Sequence, residues 1–284
     1  MTQLLSTIEI LNLLPELLPE IRRIAIEAGG KIMAVYETDF DIEIKSDDSP
    51  VTTADLAANA HIEKELKNLT TQFPFLSEES AHLSFVERSK LETYWLVDPL
   101  DGTKEFINRG DSFTVNIALI HKNKSILGVI YAPALELSYF AFKGHGSFKQ
   151  EGKIYTSEAH SIQARGFTKD QAVFVGSRAH SGDAMQKFLD NFKADLGEYD
   201  LQSMGSSLKM CMVAEGTADL YPRLWLTSEW DTAAAHCIVD EAGGSIVKTD
   251  MTPLLYNTKD SLLNPYFFAI GNNDVAWDSY LTDA

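Results

Sequence analysis

The sequence predicts an α+β fold for the first half of the chain and an α/β fold for the second half, with a cleft where the halves meet. Three strand-like runs between residues 113 and 142 are separated by short turns, which is typical of an antiparallel meander. Beyond about residue 152, strand-like and helix-like segments alternate, which favours a mainly parallel sheet. With 284 residues the chain can form one large domain or two smaller ones. We expect residues 1–155 to carry the antiparallel sheet and residues 156–284 to carry the mainly parallel one.

The first half is predicted to open with helices. One helix is expected at about 17–36, and a second at about 53–69, whose apolar residues fall along one face. Residues 47–50 predict a turn between them, and Thr52 with Asp55 has the spacing of a capping pair. Short strands are expected at 73–76 and 94–97, followed by the meander strands at 113–120, 126–131 and 137–142.

The second half is predicted to alternate between strands and helices. Its last long helix is expected at 231–242, where two glycines at 243–244 stop it. The other predicted elements are strands at 173–176, 219–221, 246–247 and 267–270, and helices at 184–192 and 206–215.

The composition excludes several classes of protein. A net charge of −17 gives no general attraction to a nucleic-acid backbone, so an anionic substrate would need a local positive field such as bound divalent cations supply. Cys211 and Cys237 lack metal-ligand spacing, and two distant cysteines predict no disulfide framework, as in a reducing cytoplasm. The Leu- and Ile-rich stretch 4–26 is interrupted by Glu and Pro, so it predicts packed helices rather than a signal peptide or membrane span. We expect a cytoplasmic protein and leave open a peripheral contact with the inner membrane and a homodimer.

Two acidic residues follow an apolar strand at 94–97. Asp98 and Asp101 are three positions apart, and Pro99 and Gly102 predict a turn that aims both carboxylates at one point. With the carbonyl of Leu100 they would form half of a site for a hard cation such as Mg²⁺. The alternative is an Asx-type turn that merely closes a loop, and this motif alone does not decide between the two.

Further acids favour the metal site. Glu78 also follows a short apolar strand, and Asp231 opens a helix, where an acid ordinarily only stabilises the helix dipole. Clustered with Asp98 and Asp101, these groups would repel one another, and unpaired buried charges cost several kcal/mol each. Two divalent ions would neutralise them, and such ions about 4 Å apart can activate a water and stabilise a leaving oxygen. The pattern therefore predicts a Mg²⁺-dependent phosphatase, and Thr103 could present its N–H and hydroxyl to a phosphate or a water.

Four motifs resemble the lithium-sensitive inositol monophosphatase superfamily of Mg²⁺-dependent phosphomonoesterases, and they come in the family's order. They are PVTTAD at 50–55, LSEE at 76–79, DPLDGT at 98–103, and WDTAA through EAGG at 230–244. Within that superfamily, the run WLVDPLDGTKEFI at 95–107 is most similar to the bisphosphate nucleotidases of bacterial sulfate assimilation. Inositol phosphatases tend to have Thr-Asn-Phe in place of Lys104-Glu105-Phe106, and GSSLK at 205–209 and LYPR at 220–223 also match the nucleotidases.

The resemblance implies a fold and a set of roles. It implies a layered α-β-α-β-α sandwich that hydrolyses adenosine 3′,5′-bisphosphate to AMP, and also its sulfated form, with two or three Mg²⁺ ions. Asp55 and Thr103 would orient and deprotonate the attacking water, with Glu78 as a further catalytic residue. The backbone of Gly102 and Thr103 would hold the scissile phosphate. The implied metal ligands are Glu78, Asp98, the Leu100 carbonyl, Asp101 and Asp231, all but Asp98 also touching substrate, and Ser206, Lys209 and Arg223 with His180 would hold the rest of the nucleotide.

Alternatives remain at this point. Lys209 could instead be a solvated helix lysine, and His180 and His145 could be loop residues. An aspartyl-nucleophile phosphatase is disfavoured because two residues separate Asp98 from Asp101. The enzymatic rival is an inositol or sugar phosphatase with the same metals. The non-enzymatic rival is a Mg²⁺- or nucleotide-sensing protein without catalysis.

Overall fold

The computed structural model describes residues 5–40, 42–44, 50–69, 73–80, 83–152, 158–176, 182–271 and 275–281. The predicted turn at 47–50 therefore lies almost wholly outside the described residues. Within the described ranges, no helix combines the length and the apolar content that a membrane span needs.

The chain opens with one helix of 30 residues, α1 (Thr7–Tyr36), which begins ten positions before the predicted start. Ser6 caps it, because its side chain accepts from the Glu9 N–H while the Glu9 carboxylate accepts from the Ser6 N–H. Pro15 and Pro19 lie inside this one helix, whereas the sequence predicted a helix only from about residue 17 onward. A proline inside a helix costs about 3 kcal/mol or more. Burial of the stripe that includes Leu14, Leu17 and Leu18 offsets that cost.

A seven-stranded sheet occupies the first half. The elements after α1 are β1 (Ile42–Ile44), β2 (Pro50–Thr52), α2 (Thr53–Asn68), β3 (Phe75–Ser77), α3 (Phe85–Arg88), β4 (Thr93–Asp101), α4 (Thr103–Ile107), β5 (Thr114–His121), β6 (Lys124–Ala132), β7 (Leu137–Phe142), β8 (Gly146–Glu151) and β9 (His160–Ile162). The strand order in the sheet is β3-β4-β5-β6-β7-β8-β9, and every neighbouring pair is antiparallel except β3 and β4. The predicted meander is confirmed and continues through β8 and β9, which the sequence did not predict.

A five-stranded sheet occupies the second half. Its elements are β10 (Val173–Gly176), α5 (Asp183–Leu196), β11 (Asp200–Ser203), α6 (Leu208–Ala214), β12 (Leu220–Arg223), α7 (Glu229–Glu241), β13 (Ser245–Lys248) and β14 (Phe267–Ile270). The order is β11-β10-β12-β14-β13, with β10 parallel to β11 and β12. Because β14 runs antiparallel to β12 and β13, the sheet is mixed rather than mainly parallel. A loop at 249–266 joins β13 to β14, and without a helical crossover nothing forces parallel pairing there.

Three buried clusters define the layers. One face of the first sheet packs on α1 and α2, and its other face packs on α6 and α7. The same α6–α7 layer covers one face of the second sheet, whose opposite face packs on α5 and the short helix Trp277–Tyr280. The layers are therefore helix, sheet, helix, sheet, helix, which confirms the predicted sandwich.

Candidate active site

The acidic motif lies at the end of β4. The sequence predicted a turn at Pro99, but β4 continues through Asp101, and the register with β5 shifts between Asp98 and Asp101. Proline has no N–H for a sheet ladder, so it is tolerated where that ladder is interrupted. The chain turns only at Gly102, whose φ is +93° and whose added Cβ would lie 3.2 Å from the Ser112 carbonyl oxygen. A side chain is therefore disfavoured at Gly102 both by its backbone conformation and by crowding.

A cavity of about 680 Å³ opens at this turn and is lined by residues from both halves of the chain. The parallel pairing of β3 with β4 places Glu78 beside Asp98 at one sheet edge, and α7 contributes Asp231 from its first turn. Within the described ranges, every predicted site residue lines this cavity except Asp55, which lies behind Thr103. His180 falls outside the described residues. The predicted residues that line it are Glu78, Asp98, Leu100, Asp101, Gly102, Thr103, Ser206, Lys209, Arg223 and Asp231.

The carboxylates perturb one another. Burial raises the pKa of Asp98 well above its usual value, and the negative charges of Glu78, Asp101 and Asp231 raise it further. Burial, then Asp101 and Glu78, raise the pKa of Asp231 in the same way. Burial also raises the pKa of Asp101, although the Lys209 ammonium opposes that shift. The cluster therefore favours binding of positive charge.

Each of three carboxylates is fixed by a backbone N–H. Asp98 Oδ1 accepts from the Leu100 N–H at 3.0 Å, and Asp101 Oδ2 accepts from the Ser207 N–H at 2.6 Å. Asp231 Oδ2 accepts from the Ser228 N–H at 2.9 Å, which forms a capping box at the start of α7. A carboxylate has about four acceptor positions, so these bonds orient each group and leave acceptor capacity.

The donor set fits a hard divalent cation. In the described part of the chain, no three His, Cys, Asp or Glu side chains are grouped as a ready ligand set. Mg²⁺ does not require one, because it commonly uses one or two protein carboxylates and completes its octahedron with water and substrate phosphate. Carboxylate oxygens and the Leu100 carbonyl are the ligand types that it accepts.

Asp55, which is buried, and Thr103, which is partly exposed, form a hydrogen-bonded pair beside the cavity. Asp55 Oδ2 accepts from the Thr52 N–H at 2.8 Å and from Thr52 Oγ1 at 2.7 Å, so the predicted capping pair of α2 is confirmed. The hydroxyl of Thr103 donates to Asp55 Oδ1 at 3.3 Å. Burial raises the Asp55 pKa, and the Thr52 hydrogen bonds oppose this shift. A carboxylate so placed can accept a proton through the Thr103 hydroxyl.

The cavity also holds cationic groups. Lys209 is buried rather than solvated, which excludes the alternative of a surface helix lysine. Its ammonium donates to the Ser206 carbonyl at 2.7 Å, and burial lowers its pKa to about 8. Ser206 has a left-handed φ of 47°, a conformation that costs a non-glycine residue on the order of 1 kcal/mol. The backbone N–H of the following residue, Ser207, donates to Asp101 Oδ2.

Sequence reasoning missed several residues around the cavity. Asn116 donates to Asp101 Oδ2 at 3.3 Å and accepts from Ser207 Oγ at 2.9 Å, and a lone amide in the apolar run of β5 could have signalled this role. Asn59 accepts from Ser77 Oγ at 2.7 Å and so ties α2 to the end of β3 next to Glu78. Trp225 and Leu226 also line the cavity, and no feature of the sequence distinguishes them from core residues.

The chain is similar to known proteins over most of its length. The profile of the inositol monophosphatase family matches residues 14–274. The 3′(2′),5′-bisphosphate nucleotidase CysQ of Salmonella typhimurium is 44% identical over 253 residues, which cover 88% of this chain and 98% of that protein. CysQ of Haemophilus influenzae is 36% identical and covers 95% of this chain and 98% of its own length.

A solved structure extends the likeness to three dimensions. The crystal structure of CysQ from Bacteroides thetaiotaomicron, a bacterial member of the inositol monophosphatase family, superposes with a TM-score of 0.78 at 38% identity. The match covers 90% of this chain and 96% of that one. This chain therefore belongs to the inositol monophosphatase family.

Proposed function

We propose that the chain is a Mg²⁺-dependent 3′(2′),5′-bisphosphate nucleotidase that hydrolyses adenosine 3′,5′-bisphosphate to AMP and phosphate. One observation carries the proposal. An acidic cluster around the buried Asp98 favours cations and shares its cavity with Lys209 and Arg223, in a chain whose net charge is −17. A substrate with two separate phosphates suits such a cavity, because one phosphate can meet the acidic end through metal ions and the other can meet the side-chain cations.

The acidic end would hold the metal. Its proposed ligands are Glu78, Asp98, the Leu100 carbonyl, Asp101 and Asp231. When bound, Mg²⁺ supplies positive charge to the phosphoryl oxygens and makes a water more acidic. The backbone N–H groups of Gly102 and Thr103, at the start of α4, would hold the scissile phosphate, because the first N–H groups of a helix have no partner within it.

Asp55 and Thr103 would handle the proton. The Thr103 hydroxyl donates to Asp55 and can accept from a water in the cavity, so the water proton passes toward the Asp55 carboxylate. The water oxygen forms a bond to phosphorus as the phosphorus–O3′ bond breaks. The released 3′-oxygen takes up a proton from solvent water, which gives AMP and inorganic phosphate. In direct displacement at phosphorus, the attacking water and the leaving oxygen lie in line, and no covalent intermediate with the protein is needed.

Lys209, Arg223 and Ser206 would hold the second phosphate. Lys209 is anchored to the Ser206 carbonyl, and Arg223 is anchored to the Leu226 carbonyl at 2.9 Å, so both cations are positioned before substrate arrives. The sulfated bisphosphate would bind in the same way, because its 3′-phosphate is identical and its 5′ group is also anionic. Preorganised charge of this kind is the strongest form of phosphate recognition.

Release of inorganic phosphate from adenosine 3′,5′-bisphosphate tests the proposal. We expect turnover with Mg²⁺, none with EDTA, and none from Asp101→Asn in either condition. Asp250→Asn is the matched control, because Asp250 is an exposed acid outside the cavity. Turnover that survives both EDTA and Asp101→Asn would refute the metal site, and no turnover by the wild type would favour a sensing protein instead.

A further inference from the structure

One tryptophan differs from the other three. Trp95 and Trp277 are fully buried and Trp230 is 9% exposed, whereas Trp225 is 52% exposed. Its neighbour Leu226 is 54% exposed. Leaving so large an apolar side chain in water forgoes burial that would stabilise the fold, so its exposure calls for a reason. Both side chains line the proposed substrate cavity rather than a remote surface.

The backbone that carries Trp225 is fixed at both ends. It follows β12 directly, and Arg223 donates across the turn to the Leu226 carbonyl at 2.9 Å. On the far side, the Asn264 N–H donates to the Thr227 carbonyl at 2.7 Å, and α7 then begins at Glu229. Hydrogen bonds therefore fix the backbone that carries the indole, and this lowers the entropy cost of binding a ligand to Trp225.

Trp225 lines two recesses that share Arg223. One is a narrow cleft next to the main cavity, which Trp225 lines together with Met185, Tyr221 and Arg223. The other is the main cavity itself, whose wall includes Arg223 and Lys209, the proposed phosphate contacts. A ligand that contacts both the indole and these cations therefore combines an apolar surface with an anionic group.

We infer that Trp225 is a specificity residue whose indole face stacks on the nucleobase of the substrate, with Leu226 at the edge of the base. This inference rests on the proposed function. Aromatic side chains bind bases of any kind by stacking, so Trp225 selects substrates that carry a base over base-free phosphates without reading which base it is. The metal-binding end of the cavity is shared by both kinds of substrate and cannot supply that selection.

Fluorescence of the full-length protein with Mg²⁺ tests the stacking directly. AMP, the proposed product, is titrated against ribose 5-phosphate, which has the same phosphate and no base. Because the other three tryptophans are buried, quenching by acrylamide reports mainly on Trp225. We expect AMP to quench the emission and to protect it from acrylamide, while ribose 5-phosphate does neither. Equal responses to the two ligands would overturn the inference, as would shielding that depends on protein concentration alone.

Kinetics of variants provide the second arm. Trp225→Ala should raise KM for adenosine 3′,5′-bisphosphate by about 10- to 100-fold, a loss typical of one stacked base. Its kcat/KM for inositol 1-phosphate should fall much less, and Trp225→Phe should restore most of the difference. Tyr266→Ala is the control, since Tyr266 is an exposed aromatic that does not line the cavity. An equal loss on both substrates would overturn the stacking role and leave the proposed function standing. A wild type without nucleotidase activity would refute the proposed function, while the AMP titration would still decide the stacking.

Discussion

Thr103 Oγ1 donates a hydrogen bond to Asp55 Oδ1 at 3.3 Å. The two residues are 48 positions apart in the chain, and their contact joins the first turns of α4 and α2. Asp55 is 2% exposed and has its other oxygen occupied by Thr52, so it can act on the cavity only through Thr103. The hydroxyl is therefore the proposed path for the water proton.

Removal of that hydroxyl tests the path. Thr103→Ala should lower kcat for the bisphosphate by about 10²- to 10⁴-fold, the usual range for general-base catalysis. Thr103→Ser keeps the hydroxyl and should retain most activity. The free energy of unfolding should change by about 1 kcal/mol or less, because the lost hydroxyl is partly exposed and shares its proton between Asp55 and the Leu100 carbonyl, each at 3.3 Å. Stopped assays of phosphate release and urea denaturation measure the two effects, and an alanine variant as active as serine would exclude the role.

Asp98→Asn tests the electrostatic cost of the acidic cluster. Burial and the neighbouring carboxylates disfavour the charged form of Asp98, so an uncharged side chain there should raise the free energy of unfolding in EDTA. Asparagine can still accept the Leu100 N–H. Mg²⁺ should then stabilise the wild type more than the variant, because the variant has lost a ligand. Urea denaturation with EDTA and with Mg²⁺ measures both, and a variant less stable than the wild type in EDTA would contradict the repulsion argument.

Lys209→Met tests the second phosphate site while conserving most of the side-chain volume. The ammonium should contribute one charge-assisted hydrogen bond to the nucleotide, so KM for the bisphosphate should rise by about 10- to 100-fold. The loss for a simple phosphomonoester should be smaller. Lys67→Met, at an exposed position of α2, is the control. A uniform loss on both substrates would argue that Lys209 only supports Asp101 and Ser206.

His236 predicts a pH dependence of stability far from substrate chemistry. Its Nδ1 lies 2.8 Å from the Tyr256 hydroxyl, and burial, aided by the Lys124 charge, lowers its pKa to about 4. Asp240 lies 3.6 Å from Nε2, but burial raises the pKa of Asp240 to about 7, so below pH 7 this carboxyl is largely uncharged and gives the imidazolium little support. Since the unfolded histidine has a pKa near 6.5, the unfolded state takes up a proton first as the pH falls.

The sign of the effect follows from that difference. Between about pH 6.5 and pH 4 the unfolded chain binds more protons at this position, so the free energy of unfolding should decrease by about 2 kcal/mol from pH 7 to pH 5. His236→Gln removes the titrating group, and its loss over the same range should be smaller by that amount. Urea denaturation at both pH values gives the comparison, and parallel losses in the two proteins would contradict it.

Local patterns carried most of what the sequence could predict. The capping pair of Thr52 and Asp55 depends on residues three positions apart, and the structure forms it as expected. The meander is likewise set by alternating residues and short turns. The acidic motifs located the cavity because each follows a strand or opens a helix, and strand ends and helix starts meet at sheet edges.

Features that depend on distant partners could not be predicted in this way. Burial against the first sheet keeps α1 continuous through Pro15 and Pro19, and pairing with β5 keeps β4 extended past Pro99. The sequence left Lys209 open between a surface lysine and a nucleotide contact, because only the second sheet and Tyr221 show that it is enclosed. The sequence could not distinguish Trp225 from a core residue, because neither composition nor periodicity shows that a side chain is exposed at a cavity wall.

The choice between a nucleotide and an inositol substrate is the central claim, and one measurement tests it most directly. The values of kcat/KM for adenosine 3′,5′-bisphosphate and for inositol 1-phosphate are determined side by side with Mg²⁺ at one enzyme concentration. We predict a preference for the bisphosphate of at least about 10-fold, because only that substrate can engage the cations beyond the metal site. Equal or reversed values would contradict the account and assign the same carboxylates to an inositol phosphatase.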